Sequence, residues 1–387
     1  MLTADFDTLT REHLTQAVGK KWTTFPDCIG AFIAEMDFGT APEIQRALHE
    51  MVEAGYFGYL PVSLERDLAQ AFAGWYQRNT DWTPDPALVH SIPDVLKVLE
   101  LTLKLYAPKG GKVIVPTPAY MPFLMLPQRL GREHIEVPLI RDEAGWHYDL
   151  DALDQAFRDG GEVLILCNPH NPIGKVLTAD EMVAISEVVA RHGGRVFSDE
   201  IHAPILYSGN RHVPYASISD AAAGHTITAI AASKAWNLAG LKCAQVVLSN
   251  EADVATWNED GGWTAHGAST LGVVASIAAF NEGQPWLDGV IEYLDGNRRV
   301  LGDMLADLLP EVRYLQSEGT YLSWLDFSQT GLDGDLAEFF REEAQVAVTN
   351  GLMCGQVGNR SIRFNFAMPR PLLEQAITQM ATALRAV

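Results

Sequence analysis

The sequence predicts an α/β protein, with a large domain on a mainly parallel central sheet flanked by helices and a smaller α+β domain after it. Two observations predict this. Short apolar runs alternate with helix-patterned stretches through the middle of the chain, and that texture stops near residue 285. At 387 residues the chain is also too long for one small core, so two domains are expected.

Residues 41–54 (APEIQRALHEMVEA) and 64–80 carry apolar residues at helical spacing, with the aromatic loop Gly55-Tyr56-Phe57-Gly58-Tyr59 between them. After a proline-bearing turn at 84–86, residues 94–106 read as a helix with Asp94 near its start. The runs KVIVP (112–116), EVLILC (162–167), RVFSD (195–199), TITAIAA (226–232) and AQVVLS (244–249) follow. Their length, β-branched content and two-sided hydrophobicity suit strands buried on both faces. Helical stretches near 119–130, 150–158 and 179–192 intervene, as a parallel sheet requires of its crossovers. A long helix over 285–309 then leads to short strands at 320–326, 345–348 and 361–366 and helices at 333–343 and 370–385. The expected division is 46–284 for the large domain and 285–387 for the small one, with 1–45 an N-terminal segment belonging to the small domain.

The formal net charge is −21, from 28 basic and 49 acidic side chains. That balance repels polyphosphate and argues against nucleic acid or an anionic membrane as partner. No apolar run reaches the roughly 18 residues that span a bilayer, and MLTADFDTLTREHL lacks the basic and apolar regions of a signal peptide. Cys28, Cys167, Cys243 and Cys354 are far apart and form no CxxC pair, so reduced, buried thiols are expected. A cytoplasmic location follows as the expectation.

In an open α/β sheet ligands bind beyond the carboxyl ends of the strands. Three such ends carry polar clusters: Asn168-Pro169-His170-Asn171-Pro172-Ile173-Gly174, Asp199-Glu200-Ile201-His202, and Ser233-Lys234-Ala235-Trp236-Asn237. They bring an amide, a carboxylate and an amine to one crevice. Other signals carry less. Gly110-Gly111-Lys112 lacks P-loop spacing and precedes a strand, no Gly-x-Gly-x-x-Gly follows the first strand, and Glu200, His202 and His212 match no metal spacing.

The order N-P-H-N-P-I-G, D-E-I-H, S-K-A-W-N resembles the fold-type-I pyridoxal-phosphate (PLP) enzymes, and more narrowly the MalY/PatB-type cystathionine β-lyases, or C–S lyases. The likeness runs from Met36-Asp37-Phe38 to Arg363-Phe364-Asn365. His202 stands where most aminotransferases of this class have tyrosine, which points to the lyases.

The resemblance implies a role for each position. Lys234 carries the cofactor and, displaced by an amino-acid substrate, becomes a base. Asp199 faces the pyridine nitrogen and keeps it protonated, Asn171 reaches the ring's 3-oxygen, and Tyr120 stacks on the ring. His202 lies on the same side of the ring or is simply packed and hydrogen-bonded. Arg363 takes the substrate α-carboxylate. The phosphate falls to the Asp94 and Val95 amides, with Asp94 turning its carboxylate away as a helix cap, and to Ser233. Two positions depart from the wider aminotransferase pattern: Ala231 replaces a frequent serine, and Lys242 replaces a frequent arginine. Tyr59 matches a tyrosine lent by a neighbouring subunit, which implies a homodimer with sites at the interface, and the loop Gly267-Ala268-Ser269-Thr270 is a further candidate to cross over. The implied reaction is β-elimination from L-cystathionine or another cysteine S-conjugate, giving a thiol, pyruvate and ammonia, with Lys234 or Tyr120 supplying the proton to the thiolate. The alternatives are an aminotransferase and a regulatory, protein-binding use of the fold. Trp22, Tyr56 and Phe57 either shape the substrate pocket or pack the dimer.

Overall fold

A computed structural model describes residues 3–17, 19–107 and 109–386. The central sheet has seven strands: β1 (Val89–Ile92), β2 (Lys112–Thr117), β3 (His134–Pro138), β4 (Gly161–Cys167), β5 (Arg195–Asp199), β6 (Thr226–Ile230) and β7 (Ala244–Leu248), in spatial order β1-β7-β6-β5-β4-β2-β3. Only β7 runs against its neighbours; the β6–β5, β5–β4, β4–β2 and β2–β3 pairs are parallel. Every residue of β5 from Val196 onward, and of β6 and β7, is buried, which is why these segments read as unbroken apolar runs. Register decides the placement of the site. Cys167 pairs with Asp199, and Asp199 with Ala229, so the turns that follow β4, β5 and β6 emerge side by side.

The second sheet has four antiparallel strands, β8 (Arg313–Tyr314), β9 (Leu322–Asp326), β10 (Thr349–Asn350) and β11 (Ser361–Asn365), ordered β8-β9-β11-β10. The long helix Gln284–Leu308 precedes it. Residues Val346–Ala347, expected as part of a strand, pair instead with Ile29–Gly30 in a separate parallel ladder. The N-terminal segment is thereby fastened to the C-terminal part of the chain. A buried ion pair fixes it further: Lys21 Nζ lies 2.9 Å from Asp37 Oδ2, and Trp22 Nε1 donates to Asp37 Oδ1 at 2.8 Å. Trp22 is therefore packed in the core, while Tyr56 and Phe57 are exposed.

Several elements differ from the sequence expectation, among them strand β3 (His134–Pro138), where no strand was expected. The helix Thr270–Glu282 (TLGVVASIAAFNE) was not expected, because it is apolar on every side and shows no stripe; it packs between the helices Pro42–Ala54 and Val62–Asn79. Strand β1 carries half-buried His90 and Ser91 at the sheet edge and so lacks an apolar run. The helix expected over 94–106 is an α-helix over Val95–Leu101 that widens into a π-turn at Thr102–Tyr106. No helix among the described residues is long and apolar enough to cross a membrane.

Candidate active site

The cleft beyond β4, β5 and β6 has a volume of about 770 Å³, and its walls include Asp94, Val95, Tyr120, Asn171, Asp199 and His202 together with Ser233, Lys234, Lys242 and Arg363. Ten of the eleven residues singled out from the sequence thus line one cavity. Tyr59 does not. It is fully exposed and lines a separate hollow of about 830 Å³ with Arg66, His90 and Trp257.

Asp199 ends β5 and is buried. Its Oδ1 accepts from the Ile201 amide at 3.0 Å, and among the described residues its Oδ2 has only the Cys167 thiol at 3.9 Å. With no cation bonded to it among the described residues, burial lifts its pKa from the ordinary 3.8 to about 7, against the pull of the Ile201 amide and the Lys234 charge. Lys234 follows β6, and its Nζ donates to the Ala34 carbonyl at 2.9 Å. Burial, helped by the charge of Arg363, lowers its pKa to about 8, with Glu35 and Asp199 pulling the other way. A lysine so placed is an available nucleophile near neutral pH. In the cofactor-free protein its attachment to an added aldehyde, trapped by borohydride and located by mass spectrometry, is expected to reach half its maximal rate near pH 8. A midpoint near the ordinary lysine value of 10.5 would contradict this.

Arg363 sits on β11 and is buried. Its Nη2 donates to the Phe32 carbonyl at 2.7 Å and to Thr349 Oγ1 at 3.3 Å, and its Nη1 to Asn171 Oδ1 at 3.2 Å. Its Nε is buried without a partner among the described residues, an unspent donor in the cleft wall. Asn171 is held by the turn of N-P-x-G: Gly174 has φ +72°, and a Cβ there would meet Ser317 Cβ at 2.4 Å, so only glycine closes it. His202 is buried, with Nδ1 2.9 Å from Thr320 Oγ1 and its ring edge-on to Tyr321. Burial and the charges of Lys234 and Arg363 hold its pKa well below the usual imidazole value, so it is neutral. Tyr120 precedes the helix Met121–Arg129, and burial raises its pKa.

At the other end of the cleft Asp94 caps Val95–Leu101: Oδ1 accepts from the Lys97 amide at 2.9 Å. Its Oδ2 meets Lys242 Nζ at 2.9 Å. The charge that Lys242 offers is thus shared with Asp94, in a half-exposed pair that solvent screens. Ser269 caps Thr270–Glu282, and Thr270 Oγ1 donates to the Gly58 carbonyl at 3.2 Å, tying that loop to the one bearing Tyr59.

Two features of the site carried no sequence signal. Tyr321 donates to the Ala34 carbonyl at 2.9 Å, so Tyr321 and Lys234 share one acceptor. Glu200 is fully buried behind Asp199 and takes four contacts: Tyr76 Oη at 3.0 Å, His212 Nε2 at 2.8 Å, Ser198 Oγ at 3.0 Å and the Tyr215 amide at 3.1 Å. That network pins the turn from Asp199 to His202. An acidic residue beside the aspartate was visible in the sequence, but its partners lie on three separate segments.

These residues fit pyridoxal phosphate. An aldehyde needs an amine, and Lys234 supplies one at the base of the cleft. A protonated ring nitrogen needs a carboxylate, and Asp199 is a buried one with no bonded cation among the described residues. The aromatic wall is Tyr120.

Comparison with known proteins agrees. The aminotransferase class I and II family model matches residues 27–380. A cystathionine beta-lyase from Corynebacterium glutamicum is 39% identical over 96% of this chain and 98% of its own. The cystathionine beta-lyase PatB of Bacillus subtilis is 30% identical over 92% and 93% respectively. A crystal structure from Corynebacterium diphtheriae, described as a candidate PLP-dependent beta-cystathionase, superposes with a TM-score of 0.92 at 36% identity, over 97% of this chain and 98% of that one. The class is therefore that of PLP-dependent enzymes of fold type I. Within the aminotransferase class I and II family, the chain belongs to the MalY/PatB-type cystathionine β-lyases.

Proposed function

We propose that the protein is a PLP-dependent C–S lyase that cleaves L-cystathionine, or a related cysteine S-conjugate, by β-elimination to a thiol, pyruvate and ammonia. One observation carries the reading: a buried amine of lowered pKa, Lys234, shares a cleft with a buried carboxylate and a buried guanidinium that keeps a free donor. The names of the two relatives described above support the choice of reaction.

When bound, pyridoxal phosphate supplies an electron-accepting ring that stabilises negative charge at the substrate's α-carbon. In this reading Lys234 anchors the cofactor. Once the substrate amine takes its place, Nζ is free and neutral enough to remove the α-proton. Arg363 holds the α-carboxylate, with Asn171 fixing the guanidinium at 3.2 Å. Asp199 keeps a proton on the ring nitrogen; that cationic neighbour would return its own pKa towards the carboxylate range. Neutral His202, fixed by Thr320, flanks Asp199 without adding charge. The C–S bond electrons leave with the thiolate, and the proton it takes comes from Lys234 Nζ or Tyr120 Oη. The released enamine adds water and loses ammonia to give pyruvate. For the phosphate, the reading uses the Asp94 and Val95 amides, Ser233, Lys242 and Tyr59 lent by a second copy of the chain. The exposure of Tyr59, away from its own cleft, supports a homodimer.

The division into a large unit (46–284) and a small one (285–387 with 1–45) belongs to the same reading. The separate four-stranded sheet and the ladder joining Ile29–Gly30 to Val346–Ala347 support it. Four buried cysteines without a disulfide among them are in keeping with a cytoplasmic protein.

The direct test is the keto-acid requirement. Loaded enzyme is expected to turn over L-cystathionine with no keto acid present, and adding one leaves the rate unchanged. Turnover that depends on an added keto acid would make the protein an aminotransferase.

A further inference from the structure

Arg341 lies on the helix Leu336–Glu343, in the wall of the same cavity as Lys234 and Arg363. Its guanidinium stands 5.6 Å from the centroid of the Phe25 ring, which orients its plane. The nearest carboxylates, Glu338 Oε1 and Glu342 Oε1, are both 3.6 Å away, beyond hydrogen-bond reach. Among the described residues the Arg341 side chain donates no hydrogen bond. Of the other cations of the cleft discussed above, Lys242 is bonded to Asp94, Lys234 to Ala34, and Arg363 to Phe32 and Asn171 with its Nε left unpartnered among the described residues; Lys20 also lines the cleft.

The surroundings of Arg341 have an order. Phe25 packs edge-on against Phe32 at 5.3 Å, and the Phe32 carbonyl receives Arg363 at 2.7 Å. One wall of the cleft therefore runs from a buried guanidinium, along two aromatic rings, to a second guanidinium at the mouth. An anion, an apolar middle and a second anion is the matching sequence in a ligand. Glu338, more than half exposed beside Arg341, offers a carboxylate to an ammonium group at the same far end.

We propose that Arg341 recognises a carboxylate at the end of the substrate remote from the reacting α-carbon. The preferred class is then thioethers that carry an amino-acid group at both ends, over S-alkyl cysteines. The inference rests on the lyase reading and adds the specificity of its site. The planar fork of an arginine suits a carboxylate through two parallel hydrogen bonds, which a lysine cannot reproduce.

The test compares L-cystathionine with S-ethyl-L-cysteine on loaded wild-type, Arg341→Ala and Arg341→Lys enzymes. Arg341→Ala is expected to lower kcat/KM for L-cystathionine roughly ten- to a hundredfold, the range for a lost hydrogen bond to a charged group. The loss falls on KM, while S-ethyl-L-cysteine stays within about twofold, which also certifies the fold of the variant. Arg341→Lys recovers part of the loss. Equal effects on both substrates, or none on either, would overturn the inference. Should the wild type cleave neither substrate, the lyase reading fails and calorimetry decides the subsite separately: weaker binding of L-cystathionine by Arg341→Ala sustains it, and equal binding overturns it.

Discussion

Replacing Lys234 with alanine is expected to reduce β-elimination by about 10⁴-fold or more, the upper end of what a positioned general base contributes, because the same amine also anchors the cofactor. The structure makes this a clean experiment. Among the described residues Lys234 gives a single hydrogen bond, to the Ala34 carbonyl, and that carbonyl keeps its second donor, the Tyr321 hydroxyl at 2.9 Å. No buried acceptor is orphaned by the substitution, and a buried amine whose pKa is lowered by burial is removed. The variant is therefore expected to fold normally, with a thermal midpoint close to that of the cofactor-free wild type. Steady-state rates with L-cystathionine, alongside thermal unfolding, check both halves. A folded variant that keeps a tenth of the activity would remove Lys234 from the mechanism.

Asp199→Asn separates stability from function in opposite directions. In the cofactor-free protein the carboxyl has a pKa of about 7, against 3.8 when unperturbed. Between those values the folded state holds a proton that the unfolded state has lost. Stability therefore falls as pH rises from about 4 to about 7, and stays at its reduced level above that. Asparagine keeps the shape and removes the charge. The stability gained by the cofactor-free variant is expected to be absent near pH 4, to grow up to pH 7 and to level off above it. Activity moves the other way: with no carboxylate to hold the proton on the ring nitrogen, kcat is expected to fall by roughly 10²- to 10³-fold, as when one preorganised electrostatic contact is lost. Thermal unfolding across the pH range and turnover of the loaded variant check the two claims. A variant no more stable than the wild type at pH 8 would show that the buried charge is compensated by groups other than the cofactor.

The parts of the site that were legible share a physical origin. Asn171, Asp199 and Lys234 each follow a strand buried on both faces, so a continuous apolar run ends abruptly in a polar cluster. Parallel pairing then puts those ends side by side. Arg363 was legible through resemblance, and the helix cap at Asp94 through residue type. The contacts that tune the site were not. The Ala34 carbonyl is contacted by Lys234 across 200 residues and by Tyr321 across 287, and a backbone carbonyl carries no residue-type signal. The pairing of Lys242 with Asp94 needs a register that only the folded chain supplies. Helix Thr270–Glu282 escaped for the opposite reason. It is apolar all round, so burial erased the periodicity that betrays helices at a surface.

The central claim is that this cleft breaks a carbon–sulfur bond instead of exchanging an amino group. Purified, PLP-loaded protein incubated with L-cystathionine alone, with pyruvate, homocysteine and ammonia measured in the same sample, tests it most directly. The account predicts the three products in equal amounts and continuous turnover. Pyruvate and homocysteine absent, or a single turnover that stalls until a keto acid is added, would contradict it.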